Sequence, residues 1–286
     1  MVSISIVIPA YNEEKAIKST IYDIKKAIKE IKLTFEILVV DDGSTDKTYR
    51  IASSIKGIRV LKHDANKGYG ASLKTAIKNT NSYYIMIIDA DGTYPASSIP
   101  AIVKNLKRYD MVIGARTGKV VKIPFFRKPA KWFLKQFAQY ITKTQIPDLN
   151  SGLRIFKKSV ALHFMGLFPD GFSFTTTLTI ACIVHGYNIK YVPINYYDRI
   201  GVSTIHPIKD FVNFMNIILR LAIFFKPLNV FIPVSLVLFV LGVIKLVRDF
   251  LLLNYFGLGG ALIILTSIQI AFLGVLAELI IKRTSL

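Results

Sequence analysis

The sequence is poor in residues that would support several common kinds of site. Its single cysteine, Cys182, excludes a disulfide framework and a cysteine-based zinc site, and it fits a reducing compartment. The four histidines show no spacing typical of metal ligands. The first predicted strand is followed by Pro-Ala-Tyr-Asn, not by the glycine-rich turn of a dinucleotide-dependent dehydrogenase. The N-terminus lacks a basic start and its apolar run stops at Pro9, so we expect no signal peptide.

Acidic residues are also scarce. The 286 residues include 37 Lys and Arg but only 18 Asp and Glu, which gives a net charge of +19. From Gly201 onward the balance is +4, so +15 belongs to the first 200 residues. A basic domain of this kind suits anionic partners such as lipid headgroups and phosphates, or is a solvated lysine-rich surface. Because no nucleic-acid-binding module is present, we expect no nucleic-acid partner.

Short β-branched runs alternate with helical patterns in the first 115 residues. The predicted strands are residues 3–9, 35–41, 58–63, 84–89 and 110–115, and the predicted helices are residues 12–29, 46–55, 70–78 and 97–108. This alternation predicts an α/β domain with a mostly parallel sheet and helices on both faces. The stretch from Arg116 to about Arg199 is less regular.

The C-terminal part is strongly apolar. Residues 228–246 and 261–281 are each long enough to cross a bilayer, which predicts a transmembrane hairpin. The predicted organisation is a large domain over residues 1–207, an amphipathic interface helix within 208–227, the hairpin over 228–281 and a short tail, 282–286. A buried core hairpin is the alternative. Because the hairpin flanks carry more Lys and Arg than its loop, we expect the large domain and tail on the cytoplasmic face.

Acidic groups follow three of the predicted strands, at Glu13, Asp42 and the Asp89-Ala90-Asp91 run. In an open parallel sheet these strand ends face one crevice, where ligands bind. Asp89 and Asp91 share one side of an extended chain, so both can reach the same point. Converging carboxylates need a positive partner, and Mg²⁺ or Mn²⁺ bound through them and a diphosphate would supply it. The alternative is a solvated turn.

Four motifs in this order, VIPAYNEE, EILVVDDGSTDKT, NKGYGASLKTAI and IIDADGTYP, resemble a family-two inverting glycosyltransferase with a GT-A fold. The later DLNSGLR, GFSFTTTL and YYDRIGVS, followed by the hairpin, resemble the polyprenyl-phosphate glycosyltransferases, of which dolichyl-phosphate mannose synthase is the best-known type. The resemblance implies transfer of a hexose from a nucleotide-diphosphate sugar, of GDP-mannose or UDP-glucose type, to a dolichyl or undecaprenyl phosphate. It also implies a membrane-bound enzyme. Membrane hairpins of this size often self-associate, which leaves both a monomer and a homo-oligomer open.

The resemblance also implies roles for individual residues. The nucleotide-sugar pocket would be formed by Pro9, Ala10, Tyr11, Glu13, Val40, Asp42, Lys67, Gly68, Asp89, Ala90 and Asp91. The metal would lie at Asp89 and Asp91, and the acceptor phosphate would meet Arg116, Arg127, Ser151 and Arg199. Asp89, Asp91, Arg116 and Arg199 would form the catalytic group, and Arg199, with Gly201 and Ser203, would close over the diphosphate.

Two positions depart from the family pattern. Thr93 stands where mannose synthases often have Gln, and Thr204 stands where a Lys commonly follows. These departures weaken mannose in particular as the transferred sugar. They do not weaken the assignment to the broad family. We expect the coordination of the metal to differ at Thr93.

A phosphate acceptor also follows from elementary chemistry. An alcohol needs a general base, whereas a phosphate monoester is already anionic near neutral pH. Residues 171–181 contain no carboxylate, and Asp148 is either that base or, as we favour, a residue that orders its loop. The basic, aromatic stretch 119–135 is either a segment that grips the lipid phosphate or a surface helix.

Three other functions are weighed against this one. Transfer to a sugar or lipid hydroxyl in cell-surface polysaccharide synthesis is the main alternative. A processive synthase would carry a QxxRW-like motif, which the sequence lacks. A non-catalytic binding module would have no need of Asp89, Asp91, Arg116 and Arg199 together.

Overall fold

A computed structural model describes residues 3–120, 128–171, 173–200 and, between 215 and 284, all but 217, 218, 221, 254 and 256. The chain divides into two compact units, Met1–Phe214 and Met215–Leu286. The predicted acceptor contact Arg127 lies outside the described residues, as do Gly201, Ser203, Thr204 and the start of the predicted interface helix. Described residues between 215 and 225 are helical.

The first unit is built on a seven-stranded sheet with the order β3-β2-β1-β4-β6-β5-β7. The strands are β1 Ser3–Ala10, β2 Thr34–Asp41, β3 Arg59–Lys62, β4 Tyr84–Ile87, β5 Met111–Ala115, β6 Arg154–Lys157 and β7 Ile189–Pro193. All neighbouring pairs are parallel except those of β6, which runs antiparallel to β4 and β5. The predicted α/β fold with a mostly parallel sheet is therefore confirmed.

Seven α-helices accompany the sheet among the described residues of this unit. They are α1 Ile17–Ile28, α2 Thr48–Ser53, α3 Tyr69–Lys78, α4 Ile99–Val103, α5 Lys128–Thr142, α6 Lys158–His163 and α7 Phe174–Val184. Helix α1 buries Ile17, Ile21 and Ile24, spaced three and four residues apart, against the sheet core. Helix α2 begins two residues later than predicted.

The sequence pattern did not predict β6 and β7. Both strands are short, and β6 begins with a charged residue, Arg154, that is completely buried. Strand β6 lies between β4 and β5, so it interrupts the parallel order in the middle of the sheet. Its position brings the loop that precedes it, residues 148–153, next to the carboxyl end of β4.

The second unit contains two long apolar helices, α8 Leu228–Leu253 and α9 Leu258–Thr284. Mean hydropathy is 2.7 over Leu228–Leu252 and 2.2 over Leu258–Ile281, and both spans are long enough to cross a membrane. Few of their residues are buried inside the structure. An apolar surface of this extent needs a lipid environment or a partner to cover it.

Glycines bring α8 and α9 close together. A methyl group on Gly260 would lie 3.0 Å from the Leu246 backbone nitrogen and 3.2 Å from the Gly242 carbonyl oxygen. On the neighbouring Gly259, a methyl group would meet only the mobile end of Lys245, at 2.9 Å. Since transmembrane helices associate mainly by close packing, Gly260 supports the hairpin and Gly259 does not.

We therefore expect Gly260→Ala to destabilise the hairpin by about 1–3 kcal/mol, because the added methyl group meets backbone that cannot turn aside. The measurement is thermal unfolding of the full-length protein in mild detergent, followed by far-ultraviolet circular dichroism. Gly259→Ala is the matched control, with the same change in helix propensity one residue away. Equal melting temperatures for the two variants would contradict this packing.

Candidate functional site

The loops after β1 and β2 are tied together by hydrogen bonds. The Asn12 backbone N–H donates to Ser44 Oγ at 3.0 Å, and the Thr45 N–H donates to Asn12 Oδ1 at 2.9 Å. The Glu13 N–H donates to Thr48 Oγ1 at 2.7 Å. Asn12 adopts a positive φ of 55°, which turns the chain sharply after the strand. These bonds fix the floor of a crevice at the carboxyl end of the sheet.

Asp42 organises the next loop. Its carboxylate accepts hydrogen bonds from the backbone N–H groups of Lys67 and Gly68, at 3.0 and 2.8 Å. His63 Nδ1 lies 2.6 Å from Asp42 Oδ1, and His63 Nε2 lies 2.9 Å from Thr75 Oγ1. The Asp42 side chain is thus occupied by the protein itself. Its structural effect is to hold the 67–68 loop beside the crevice.

The other predicted nucleotide contacts differ in accessibility. Pro9, Ala10 and Val40 are buried, whereas Tyr11 is half-buried and Lys67 is exposed. A nucleotide could therefore touch the Tyr11 and Lys67 side chains directly. Contacts from the buried three would come from the backbone at the strand ends. Their assignment to a nucleotide pocket stays a prediction.

Asp89 lies at the centre of the crevice. Its Oδ1 accepts a hydrogen bond from the Tyr69 hydroxyl at 3.0 Å. Its Oδ2 faces Gly152, where a methyl group would lie only 2.3 Å away. The Gly152 N–H in turn donates to the Tyr94 hydroxyl at 2.7 Å. Burial, and then the negative charge of Asp91, raise the pKa of Asp89 above its usual range.

Asp91 is held from two sides. Thr93 donates to Asp91 Oδ1 from its backbone N–H at 3.1 Å and from its hydroxyl at 2.7 Å. Arg199 Nε lies 3.6 Å from Asp91 Oδ2, and an Arg199 Nη2 group donates to Glu13 Oε1. Burial raises the pKa of Glu13 to about 7, although the charge of Arg199 opposes this shift. Thr93 thus orients one Asp91 oxygen and leaves the other facing Arg199.

The oxygen donors of this crevice suit a divalent cation. Asp89 and Asp91 are hard ligands of the kind that Mg²⁺ and Mn²⁺ prefer. The described residues form no cluster of three or more His, Cys, Asp or Glu side chains that could hold a metal alone. A cation here would therefore complete its coordination with substrate oxygens, as magnesium commonly does with phosphates. Such a cation would offset the negative charge of Asp91, which after burial is the main cause of the raised pKa of Asp89.

Arg116 is engaged by an ion pair. Its Nε and Nη2 groups donate to Asp148 Oδ2 and Oδ1, both at 2.7 Å, and its backbone N–H donates to Oδ2 at 2.9 Å. The guanidinium also lies over the Tyr196 ring, 5.2 Å from its centroid. Although burial raises the pKa of Asp148, Arg116 outweighs this effect and holds it at about 2. This geometry favours the loop-ordering interpretation of Asp148 over its use as a base.

The predicted acceptor contact Ser151 needs correction. Its side chain is fully buried, and its hydroxyl donates to the Gly114 carbonyl oxygen at 2.5 Å. A hydroxyl enclosed in this way is not presented to a phosphate. Ser151 instead attaches the 148–152 loop to β5.

Sequence analysis missed several residues that shape the crevice. Arg154 is completely buried and donates to the carbonyl oxygens of Ser151 and Thr175 and to Thr179 Oγ1, at 2.6–2.9 Å. Tyr69 and Gly152 enclose Asp89. The available signal was their position inside NKGYG and DLNSGLR, motifs that carried the family resemblance without a role for these residues.

The fold and this acidic crevice define a glycosyltransferase, and the sequence matches the family "Glycosyl transferase family 2" over residues 5–164. The chain belongs to this family. Residues 226–282 also match the "GtrB C-terminal hairpin".

Several characterised and uncharacterised relatives are similar in sequence. An uncharacterised protein of Methanocaldococcus jannaschii is 34% identical over 200 residues, covering 67% of this chain and 80% of its own. A dolichyl-phosphate hexose transferase of Haloferax volcanii is 28% identical, covering 71% and 87%. A dolichyl-phosphate beta-glucosyltransferase of Dictyostelium discoideum is 28% identical, covering 55% of each chain.

Solved structures support the GT-A fold. Glucosyl-3-phosphoglycerate synthase of Mycobacterium tuberculosis, in complex with Mn²⁺, UDP and phosphoglyceric acid, superposes with a TM-score of 0.60. It is 20% identical, and the match covers 77% of this chain and 78% of that one. Mannosyl-3-phosphoglycerate synthase of Rubrobacter xylanophilus gives a TM-score of 0.58 at 17% identity, covering 77% and 73%.

Gly152→Ala should displace the Asp89 carboxylate, because the new methyl group would overlap it. We expect a loss of glycosyl transfer of about tenfold or more, equivalent to at least about 1.4 kcal/mol. Transfer rate and melting temperature are measured together. Gly166→Ala, whose added methyl group meets nothing within 4 Å, is the control. Full activity of Gly152→Ala would contradict the tight packing on Asp89.

The raised pKa of Glu13 predicts a pH effect on stability. The folded state favours protonated Glu13. The contribution of this group to the free energy of unfolding is therefore complete below pH 4.5 and is lost as pH rises through about 7. Between pH 5 and 8 the wild type should therefore lose stability relative to Glu13→Gln, which cannot ionise. Melting temperatures of the two proteins across this range, without divalent cations, provide the measurement. Parallel pH profiles would show that Glu13 does not titrate in this way.

Proposed function

We propose that this glycosyltransferase transfers a hexose from a nucleotide-diphosphate sugar to a polyprenyl phosphate, with inversion at the anomeric carbon. Similarity to a dolichyl-phosphate hexose transferase and a dolichyl-phosphate beta-glucosyltransferase supports this acceptor. The match to the GtrB C-terminal hairpin and the two long apolar helices support a membrane-bound enzyme that meets a lipid substrate.

The ion pair between Arg116 and Asp148 is the observation that carries the proposal. A carboxylate whose pKa is held at about 2 is a weak base, poorly suited to take a proton from an alcohol. Asp170, which precedes α7, is also paired, with Lys74 Nζ at 2.9 Å. An acceptor that arrives already ionised needs neither carboxylate as a base, and a phosphate monoester meets that condition.

The crevice residues would then act by position and charge. Tyr11 and Lys67 are accessible for the nucleotide, and Asp89 and Asp91 would hold Mg²⁺ or Mn²⁺ at the diphosphate. When bound, the cation would neutralise charge that develops on the leaving diphosphate. Arg199 is the arginine beside Asp91, and its guanidinium would stabilise the same leaving group through charge-assisted hydrogen bonds.

The proposed reaction is a single in-line displacement. An oxygen of the acceptor phosphate forms a bond to the anomeric carbon while the bond from that carbon to the diphosphate oxygen breaks. The electron pair leaves with the nucleoside diphosphate, and no proton transfer is required. An α-linked donor would therefore give a β-linked lipid phosphate.

The hairpin suggests the orientation of the enzyme. Lys226 precedes α8, and Lys282 and Arg283 end α9, whereas at the turn Lys245 and Arg248 are offset by Asp249. The positive-inside rule would place both flanks, and with them the catalytic unit, on the cytoplasmic face. On this face the catalytic unit would meet nucleotide sugars of the cytoplasm.

A transfer assay tests the proposal. Purified full-length protein in detergent receives dolichyl or undecaprenyl phosphate, Mg²⁺ or Mn²⁺, and labelled GDP-mannose or UDP-glucose. We expect label in the organic phase with one donor, and none when the free polyprenol replaces its phosphate. Asp91→Asn should reduce transfer by about a hundredfold or more, because it removes an anionic ligand of the proposed cation at the diphosphate.

Each alternative result has a distinct meaning. Transfer to polyprenol as readily as to its phosphate would overturn the phosphate acceptor. Donor hydrolysis without transfer would indicate another acceptor, and full activity with a chelator would remove the metal from the mechanism. Intact lipid-linked product, made from an α-linked donor and assigned as the α-anomer by NMR, would contradict inversion.

A further inference from the structure

Arg199 occupies a central place among the acidic groups of the crevice. Its guanidinium joins Glu13, from the β1 loop, to Asp91, from the β4 loop. Its Nε is buried and, among the residues that the structure describes, has no hydrogen-bond partner, because Asp91 Oδ2 is 3.6 Å away. A buried N–H group without an acceptor is costly. The contact of Arg199 with Asp91 therefore neutralises charge but leaves the Nε–H without a hydrogen bond.

The backbone around Arg199 is attached to the same turn that carries Asp91. The Ile200 N–H donates to the Asp91 carbonyl oxygen at 3.1 Å, and the Tyr197 N–H donates to the Thr93 carbonyl oxygen at 3.0 Å. The chain on either side of Arg199 is therefore fixed beside the aspartate. Displacing the guanidinium from Asp91 would therefore require a movement of the Arg199 side chain and not of the backbone.

The carboxylates of the crevice need a positive charge beside them, and Arg199 supplies it. Burial raises the pKa of Glu13 and of Asp89, and the negative charge of Asp91 raises both further, whereas Arg199 lowers both and Arg116 also lowers that of Asp89. Arg116 is already bound by both oxygens of Asp148. Within the described part of the chain, Arg199 is the arginine that pairs with both Asp91 and Glu13.

We propose that Arg199 is a built-in counter-cation that competes with the divalent metal for Asp91, and that Glu13 is the positioning residue that holds it there. A metal at Asp91 Oδ2 and the Arg199 guanidinium repel each other at this distance. Metal arriving with the diphosphate displaces the guanidinium, and its unpaired Nε gains a phosphate oxygen as acceptor. This inference rests on the proposed use of a metal and a diphosphate.

The exchange predicts effects of opposite sign for one substitution. Arg199→Gln should bind Mn²⁺ alone about tenfold more tightly, because a competing positive charge is removed. The same variant should bind UDP or GDP in the presence of Mn²⁺ about tenfold more weakly, because the diphosphate loses a charged donor. A residue that only supported the fold would weaken both kinds of binding.

The experiment uses full-length protein in detergent and needs no turnover. Free Mn²⁺ is measured by electron paramagnetic resonance during titration, first alone and then with saturating UDP or GDP. Arg59→Gln is the control, since Arg59 pairs with Glu36 on the surface at 3.4 Å and its loss changes the net charge equally. Arg199→Lys keeps the charge and should stay within about threefold of wild type for Mn²⁺ alone.

The outcomes separate this inference from the proposed function. Tighter Mn²⁺ binding by Arg199→Gln but not by Arg59→Gln supports the exchange. Equal Mn²⁺ affinity of wild type and Arg199→Gln, both with native melting behaviour, would overturn it and leave the transferase proposal intact. If no variant binds Mn²⁺ with or without nucleotide while transfer proceeds, the metal itself is excluded and the inference fails with it.

Discussion

Repulsion among the carboxylates at the carboxyl ends of β1 and β4 is the constraint on which the site depends. Asp89 and Asp91 lie in the loop after β4, and Glu13 lies in the loop after β1. The Tyr69 hydroxyl donates to Asp89, and Thr93 donates to one oxygen of Asp91. Arg199 pairs with Glu13 and with the other oxygen of Asp91. Buried carboxylates that repel one another are typical of functional sites, and in the proposed function a divalent cation would be their partner.

The opposite wall of the crevice depends on buried positive charge. Arg154 ties the carbonyl oxygen of Ser151 to that of Thr175 on α7, while Arg116 binds Asp148 at the start of the same loop. The loop over residues 148–152 is thereby attached at both ends, and Gly152 is pressed against Asp89. A rigid loop at this position limits how a substrate can approach the aspartates, which is a means of orienting it.

The sequence predicted the elements in which periodicity is regular. Strands β1, β2 and β4 are apolar runs in a nearly continuous buried sheet, and the apolar spacing of α1 matches its buried face. Strand β6 was not predicted, because it is only four residues long and begins with Arg154. A charged residue argues against a central strand unless its buried hydrogen-bond partners are known. Local patterns carry no information about such partners.

The same distinction applies to the site. The aspartates after β4 could be predicted because they sit within one short motif, and their proximity follows from strand geometry. The pairing of Glu13 with Arg199 joins residues 186 positions apart. The occupation of Asp42 by His63 and the burial of Ser151 likewise depend on tertiary packing. Sequence therefore indicated which chemical groups meet in the crevice, and the structure showed which of them are already paired.

The two halves of the crevice are consequently built in different ways. In the proposed function, the donor would bind among loops that directly follow β1, β2 and β4, whose geometry comes with the α/β topology. The acceptor would bind beside contacts between distant segments, such as Arg116 with Asp148 and Arg154 with Thr175. Substitutions in this second set of contacts could therefore change which acceptor fits, although Gly152 and Arg199 also contact the acidic groups after β1 and β4 and would affect both sides. The fold is shared with a glucosyl-3-phosphoglycerate synthase, while a dolichyl-phosphate hexose transferase is similar in sequence, so the shared topology does not by itself determine the acceptor.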